Sequence, residues 1–202
     1  MEDRILEVTV YYDYICPWCY VGQTVAKRMQ AELGAHLNWL PLLLHPETPP
    51  CGEEFSPEKK ESLVETVARV TQMAEAGGLP VVFPGRMIYT RRALEATEYA
   101  REQHKLLPFH EVVFKKIFGE GKDIGSWEVL RSAAAEAGLN ADEMQRMTES
   151  GAYSALIDAQ TALAEQQGID SLPTYILNDS YAVIGPQPYE VFQKVLEIMA
   201  EG

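Results

Sequence analysis

The chain opens with a strand pattern that passes directly into a helix pattern. Residues 5–12 are rich in β-branched and aromatic side chains, which is typical of a buried strand. From Cys19 onward, small and apolar residues recur at helical spacing until Gly34, a residue suited to end a helix. Residues 36–44 form a second strand pattern, in which Pro41 fits only an edge or a bulge. The pattern therefore predicts a β-α-β unit.

Helical patterns then follow one another over residues 57–167, with almost no strand signal between them. Ser56 is suited to cap the first helix, and Pro57 to occupy its first position. Apolar stripes predict helices over residues 57–78, 90–105, 109–118, 126–137, 140–151 and 153–167. We interpret residues 57–167 as an inserted helical domain.

Strand patterns return after Gly168. Residues 174–177 and 181–184 are separated by a short polar turn and predict a β-hairpin, and a final helical stripe follows. Isolated pairs of strands are marginal in water, so strands at both ends of the chain argue for one sheet interrupted by an insertion. The predicted fold class is α/β, with residues 1–56 and 168–202 as the two halves around the helical domain.

Composition and charge narrow the classes of partner. The 202 residues include 17 Lys and Arg and 30 Asp and Glu, a formal net charge of −13 at pH 7. Such a charge repels polyanions, so we expect neither a nucleic-acid partner nor binding to an anionic membrane. The first residues do not have the pattern of a signal peptide, and the longest apolar runs are shorter than the roughly 20 residues of a membrane span. We therefore expect a cytoplasmic protein.

The strongest chemical signal is the motif Cys16-Pro17-Trp18-Cys19 at the junction of strand and helix. Two intervening residues in a first helical turn bring the two sulfurs close enough to form and reopen a disulfide. The first thiol lies at the helix N-terminus, where backbone N–H groups and the helix dipole favour a thiolate. We therefore expect Cys16 to be the nucleophile and Cys19, on the buried stripe, to be the resolving thiol. Asp13 raises the pKa of Cys16 if it lies close to it.

Other interpretations of the cysteines and histidines stay open at this point. An inert buried cysteine pair is one. A zinc site is another, with Cys16, Cys19, Cys51 and His45 as its four ligands. Structural zinc sites usually have a second closely spaced ligand pair, however, and this chain lacks one. We therefore predict no metal site and interpret Cys51 as a loop thiol. We expect surface or packing roles for the four histidines: His36, His45, His104 and His110.

A second signal is Ser171-Leu172-Pro173-Thr174, directly before the returning strand. Proline can open a strand because it has no N–H to contribute to the ladder. A β-α-β unit with Cys-X-X-Cys, followed later by this proline, a hairpin and a final helix, resembles the thioredoxin fold.

Residues 13–22, the helical insertion, residues 171–174 and residues 184–188 together resemble the DsbA family, and within it the FrnE-like branch. The resemblance implies a thiol-disulfide oxidoreductase in which Cys16 attacks, Cys19 resolves and Pro173 is a cis-proline beside them. It also implies that the backbone of Leu172 pairs with a bound peptide or glutathione as an added strand. Leu172 stands where the family usually has Val, and Tyr89 where it often has Asn.

The resemblance also implies which cofactors and partners to expect. It implies no bound cofactor beyond the redox-active disulfide of Cys16 and Cys19, with glutathione as a possible co-substrate. The expected partner is a thiol or disulfide, protein or small molecule, and a homodimer is a possible assembly. We expect Trp18 and Tyr14 to form an apolar rim that contacts the substrate.

Two other functions compete with this one. The hydroxychromene-carboxylate isomerases and kappa-class glutathione transferases share the fold and act on aromatic or polyketide-like molecules, but they usually have Ser where this chain has Cys16. A chaperone or binding module that uses the helical insertion is the third hypothesis.

Overall fold

A computed structural model of the protein describes residues 6–201. Ile5, the predicted start of the first strand, lies outside these residues. The strands are β1 (Glu7–Tyr12), β2 (His36–Pro41), β3 (Glu53–Glu54), β4 (Arg86–Met87), β5 (Thr174–Leu177) and β6 (Tyr181–Ile184). The helices are α1 (Pro17–Leu33), α2 (Pro57–Ser62), α3 (Val64–Ala76), α4 (Arg91–Glu102), α5 (Leu106–Phe114), α6 (Trp127–Glu136), α7 (Ala141–Glu149), α8 (Ser154–Gln166) and α9 (Tyr189–Glu201).

The main sheet joins both ends of the chain. Its strand order is β2-β1-β5-β6, with β1 parallel to β2 and antiparallel to β5, and with β5 antiparallel to β6. The predicted β-α-β unit and hairpin are therefore confirmed as parts of one sheet. Strand β2 ends at Pro41, before the predicted residue 44, where its partner β1 also ends, and the Leu42 N–H makes a last hydrogen bond to the Tyr12 carbonyl at 2.9 Å.

The segment between the two halves is mostly helical but differs from the prediction in three places. Strands β3 and β4 pair with each other, and β4 lies inside residues 57–167, so the insertion is not entirely helical. Leu63 separates α2 from α3, where one helix was expected. A π-helical segment, Lys115–Gly119, continues α5. The boundaries of the three predicted domains stay a prediction.

Helix α1 packs closely against β5 on one face of the sheet. Tyr175 of β5 is buried, and its hydroxyl donates to the carbonyl oxygen of Gly22 in α1 at 3.0 Å. A Cβ atom at Gly22 would lie 2.5 Å from the Tyr175 hydroxyl oxygen and 3.1 Å from Cγ of Pro173. The ring of Tyr175 also packs edge-on against Phe192 of α9, at 4.9 Å between ring centroids. A glycine at position 22 is therefore what lets α1 approach this part of the sheet.

A buried aromatic cluster holds the helical insertion against the sheet. His110 of α5 is 1% exposed, and its ring centroid lies 4.5 Å from that of Tyr12, 4.4 Å from that of Trp39 and 4.8 Å from that of Phe114. Burial, together with the positive charges of Lys27 and Arg101, lowers the pKa of His110 to about 3. The imidazole is therefore neutral in the folded protein at physiological pH.

We expect Gly22→Ala to lower the free energy of unfolding by about 1–3 kcal/mol, because the added methyl group collides with a buried tyrosine. Chemical denaturation of purified protein measures this change. Gly77→Ala is the matched control, since Gly77 has a negative φ and its added Cβ would meet atoms only at ordinary contact distances of 3.5 Å and beyond. Equal stability of the wild type and Gly22→Ala would contradict the proposed contact.

We also expect His110 to make stability depend on pH. Its pKa is about 3 in the folded state against about 6.5 in the unfolded chain, so the unfolded state binds more protons between these values. The contribution of neutral His110 to the free energy of unfolding is complete above about pH 6.5. It decreases as the pH falls and is about 2 kcal/mol smaller at pH 5. Denaturation at several pH values should show a flatter profile for His110→Phe than for the wild type. His104→Asn, at an exposed position, should keep the wild-type slope.

Candidate functional site

The motif predicted to carry the chemistry lies at the start of α1. Cys16 is the N-cap residue and Pro17 the first residue of the helix, whose first turn contains no acidic side chain. The thiols of Cys16 and Cys19 are both free and almost completely buried, with 6% of Cys16 and 1% of Cys19 exposed. A thiol in this position faces the positive end of the helix dipole. The structure therefore places Cys16 at the start of the helix and Cys19 behind it.

The two thiols differ in their surroundings. Burial raises the pKa of the Cys19 thiol well above its ordinary value, and the hydrogen bond and charge of Cys16 act in the same direction. Cys19 therefore keeps its proton at neutral pH. This difference supports the predicted roles without testing them.

The loop that carries Pro173 lies directly on the motif. The Cys16 thiol donates to the carbonyl oxygen of Leu172 at an Sγ–O distance of 3.5 Å. The peptide bond between Leu172 and Pro173 is cis, as the resemblance implies. The Gly185 N–H donates to the Pro173 carbonyl at 2.8 Å, and the Thr174 hydroxyl donates to the Ser171 carbonyl at 2.7 Å. The returning strands thus fix this loop against Cys16.

Asp13 lies below the motif and is joined to it by hydrogen bonds. Its carboxylate accepts hydrogen bonds from the Ile15 N–H at 3.2 Å and from the Leu44 N–H at 2.8 Å, and its carbonyl accepts the Cys16 N–H at 3.1 Å. Burial raises the pKa of Asp13 above its ordinary value, although these hydrogen bonds oppose the shift. The charge of Asp13 is one of the groups that raise the pKa of Cys19. Asp13 therefore connects the ends of β1 and β2 below the motif, and it does not line the cleft described next.

A cleft of about 490 Å³ opens at Cys16. Cys16, Pro17, Trp18 and Leu172 form one wall, and the opposite wall comes from α2, α3 and the residues around β3 and β4. The Arg69 guanidinium carbon lies 5.4 Å from the centroid of the Trp18 ring. The predicted contact of Trp18 with a substrate thus fits its position.

The predicted rim position of Tyr14 is wrong. The Tyr14 side chain is fully buried, and its hydroxyl lies 2.8 Å from Oγ1 of Thr97 and 3.2 Å from Nδ1 of His110. The turn closed by the hydrogen bond between Cys16 and Asp13 directs Tyr14 into the helical insertion, away from the cleft. Tyr14 therefore supports the motif from the interior.

The remaining cysteine and the histidines take different positions. Cys51 is exposed, and its carbonyl accepts a hydrogen bond from the Arg86 guanidinium at the edge of the cleft. His45 lines the cleft, with Nδ1 3.0 Å from the Glu47 carboxylate, while His36 and His104 are exposed and His110 is buried. In the part of the chain that the structure describes, no three His, Cys, Asp or Glu residues are grouped as metal ligands.

Several residues that line the cleft were missed by the sequence analysis. Besides His45, they come mainly from the insertion and from the segment just before it: Phe55, Lys59, Leu63, Phe83 and Arg86. No local pattern in the sequence relates these residues to Cys16, because the way the insertion folds over α1 brings them there.

Over residues 6–201, no helix is both long enough and apolar enough to cross a membrane.

Two curated relatives align over most of their own length. Protein YwbO of Bacillus subtilis is 27% identical over 194 residues, covering 95% of this chain and 96% of YwbO. The 2-hydroxychromene-2-carboxylate isomerase of Sphingobium xenophagum is 23% identical over 175 residues, covering 85% of this chain and 89% of the isomerase.

Solved structures share the fold. The structure of SCO1869 from Streptomyces coelicolor, described as a DsbA oxidoreductase, superimposes with a TM-score of 0.82 at 24% identity, covering 95% of this chain and 88% of that one. The cytosolic disulfide reductase DsbM of Pseudomonas aeruginosa, solved with glutathione, gives a TM-score of 0.67 at 16% identity, covering 97% of this chain and all of DsbM.

The family model of the DSBA-like thioredoxin domain matches residues 7–197, which is nearly the whole chain. This match confirms the predicted thioredoxin fold with a helical insertion. The chain therefore belongs to the DSBA-like thioredoxin-domain family.

Proposed function

We propose that this protein is a thiol-disulfide oxidoreductase in which Cys16 is the nucleophile and Cys19 the resolving thiol. The observation that carries the proposal is the position of Cys16: it begins α1, contacts the Leu172 carbonyl at 3.5 Å and opens onto the cleft, while Cys19 is buried behind it. A nucleophilic thiol needs access and a site that favours negative charge, and a resolving thiol needs only to reach the first sulfur.

The reaction with a disulfide substrate has two exchange steps. The Cys16 thiolate attacks one substrate sulfur, which breaks the substrate S–S bond, forms a mixed disulfide and releases one thiolate. Cys19 then loses its proton and attacks the Cys16 sulfur, which releases the second thiolate and closes the Cys16–Cys19 disulfide. The protein dithiol loses two electrons and two protons, and the substrate gains them. The same steps in reverse oxidise a dithiol substrate.

The surrounding residues have supporting roles in this proposal. Pro17 begins the helix without leaving an N–H unpaired, and Trp18 forms an apolar wall for the substrate. Leu172 presents its backbone to a bound peptide or glutathione as an added strand, and Pro173 holds that loop beside the motif. Asp13 and Tyr14 keep the motif in place from beneath.

We also propose glutathione as a co-substrate and a cytoplasmic location. The similar fold of DsbM, a cytosolic disulfide reductase solved with glutathione, supports both. No bound cofactor is required, since the two cysteines store the electrons. The FrnE-like branch, the homodimer and the domain boundaries at residues 56 and 167 stay predictions.

The alternative is a glutathione-dependent isomerase of the hydroxychromene-carboxylate type. The similarity to the isomerase of Sphingobium xenophagum favours it, and so does the largely apolar cleft beside Cys16. The thiol at position 16 argues against it, as set out above, because that branch usually has a serine hydroxyl there.

We expect Cys16→Ser to lower the rate of disulfide exchange with a disulfide-bonded model protein at least about a hundredfold, because a hydroxyl does not replace the thiolate. Cys19→Ser should accumulate the mixed disulfide between Cys16 and the substrate, detectable by mass spectrometry. Cys51→Ser is the matched control and should exchange at the wild-type rate. If Cys16→Ser retained the wild-type rate, the proposed function would be wrong.

A second experiment separates the two enzymatic functions. With glutathione and 2-hydroxychromene-2-carboxylate, we expect no isomerisation above the uncatalysed rate, measured by absorbance. An isomerase needs no resolving thiol, so turnover that survives Cys19→Ser would support the alternative instead.

A further inference from the structure

The cleft beside Cys16 is lined mainly by apolar side chains. Besides Trp18, the lining includes Phe55, Leu63, Phe83 and Phe118, which come from the insertion and the segment before it. Clefts of about 300–1,000 Å³ with such linings bind small molecules that have an apolar body. The volume of about 490 Å³ falls within that range.

Three basic side chains line the same cleft, and two of them are already engaged. The Arg86 guanidinium lies 3.5 Å from the Glu54 carboxylate and donates to the Cys51 carbonyl. The His45 ring contacts the Glu47 carboxylate at 3.0 Å. Lys59 is different: among residues 6–201, it forms no ion pair with any carboxylate.

The first turn of α2 fixes the backbone of Lys59. Its N–H donates to the Ser56 hydroxyl at 3.2 Å, and this cap sets the direction in which α2 presents the side chain. The acidic residue that lines the cleft, Asp170, lies on the side of Leu172, and its carboxylate accepts the Ser171 hydroxyl at 2.9 Å. Helix α2 therefore offers the cleft an uncompensated positive charge. The Arg69 guanidinium, beside the Trp18 ring, also forms no ion pair among residues 6–201, but it does not line the cleft.

For the binding of an anionic group inside the cleft, this local charge matters more than the net charge of the chain. The chain carries −13, but charges more than about 10 Å apart are largely screened at physiological ionic strength. An anionic group inside the cleft therefore responds mainly to the charges in and beside the cleft, of which Lys59 is one. An ammonium group can bind a carboxylate there through a charge-assisted hydrogen bond.

We infer that the cleft accepts a disulfide or thiol with an aromatic or similarly bulky apolar body and a carboxylate that Lys59 binds. This inference rests on the proposed function, since Cys16 must attack the substrate sulfur. In the overall reaction, the dithiol of Cys16 and Cys19 is oxidised to a disulfide, and the aromatic disulfide is reduced to two thiols.

Two aromatic disulfides test this specificity, DTNB with a carboxylate on each ring and the uncharged dithiodipyridine. Both release a coloured thiol whose absorbance gives the rate. The measurements use a Cys51→Ser background, because exposed Cys51 would react as well. We expect Lys59→Gln to slow the reaction with DTNB about two- to fivefold and to leave the rate with dithiodipyridine unchanged. Lys59→Arg should keep most of the DTNB rate.

Lys60→Gln is the matched control, because Lys60 is the next residue of the same helix and does not line the cleft. It should change neither rate. An unchanged DTNB rate in Lys59→Gln, or equal slowing with both probes, would overturn the inference while leaving the proposed function intact. Undiminished rates with both probes after Cys16→Ser would instead overturn the proposed function.

Discussion

The close approach of α1 to β5 is the contact on which the candidate site depends. The Tyr175 hydroxyl reaches the Gly22 carbonyl only because position 22 has no side chain. The same approach brings the ring of Pro173 beside the helix and leaves the Leu172 carbonyl 3.5 Å from the Cys16 sulfur. Cys16 and Leu172 are 156 positions apart in the chain, so their proximity is a product of helix-to-sheet packing.

A second contact determines what the motif faces. His110, in the insertion, packs among aromatic rings from β1 and β2. It also shares a hydrogen bond with the hydroxyl of Tyr14, two residues before Cys16. The insertion is thereby attached to the same end of the sheet as the motif. In addition, α3 packs directly against α1, and a cleft lies between α2, α3 and the start of α1. The insertion therefore supplies the wall of the site that the sheet lacks.

Much of this arrangement follows from local sequence. The change of period after residue 12, the two cysteines in a first helical turn and the proline before the hairpin are all short-range signals, and they predicted the fold and the motif. Tyr14 could not be placed, because its direction depends on the turn between Asp13 and Cys16. Strands β3 and β4 could not be recognised, because two residues are too few to show an alternating pattern. The role of Lys59 depends on how the insertion packs, which no local pattern records.

Burial in the interior below the motif disfavours charge, and it affects the two thiols differently. Burial raises the pKa of Cys19 and of Asp13 and lowers that of His110. These opposite directions have one cause, since removal from water disfavours whichever form is charged. Negative charge is therefore disfavoured at Cys19, whereas the N-terminal end of α1 is the positive end of the helix dipole. The thiol that lies there and opens onto the cleft is Cys16, which agrees with the nucleophilic role that we propose for it.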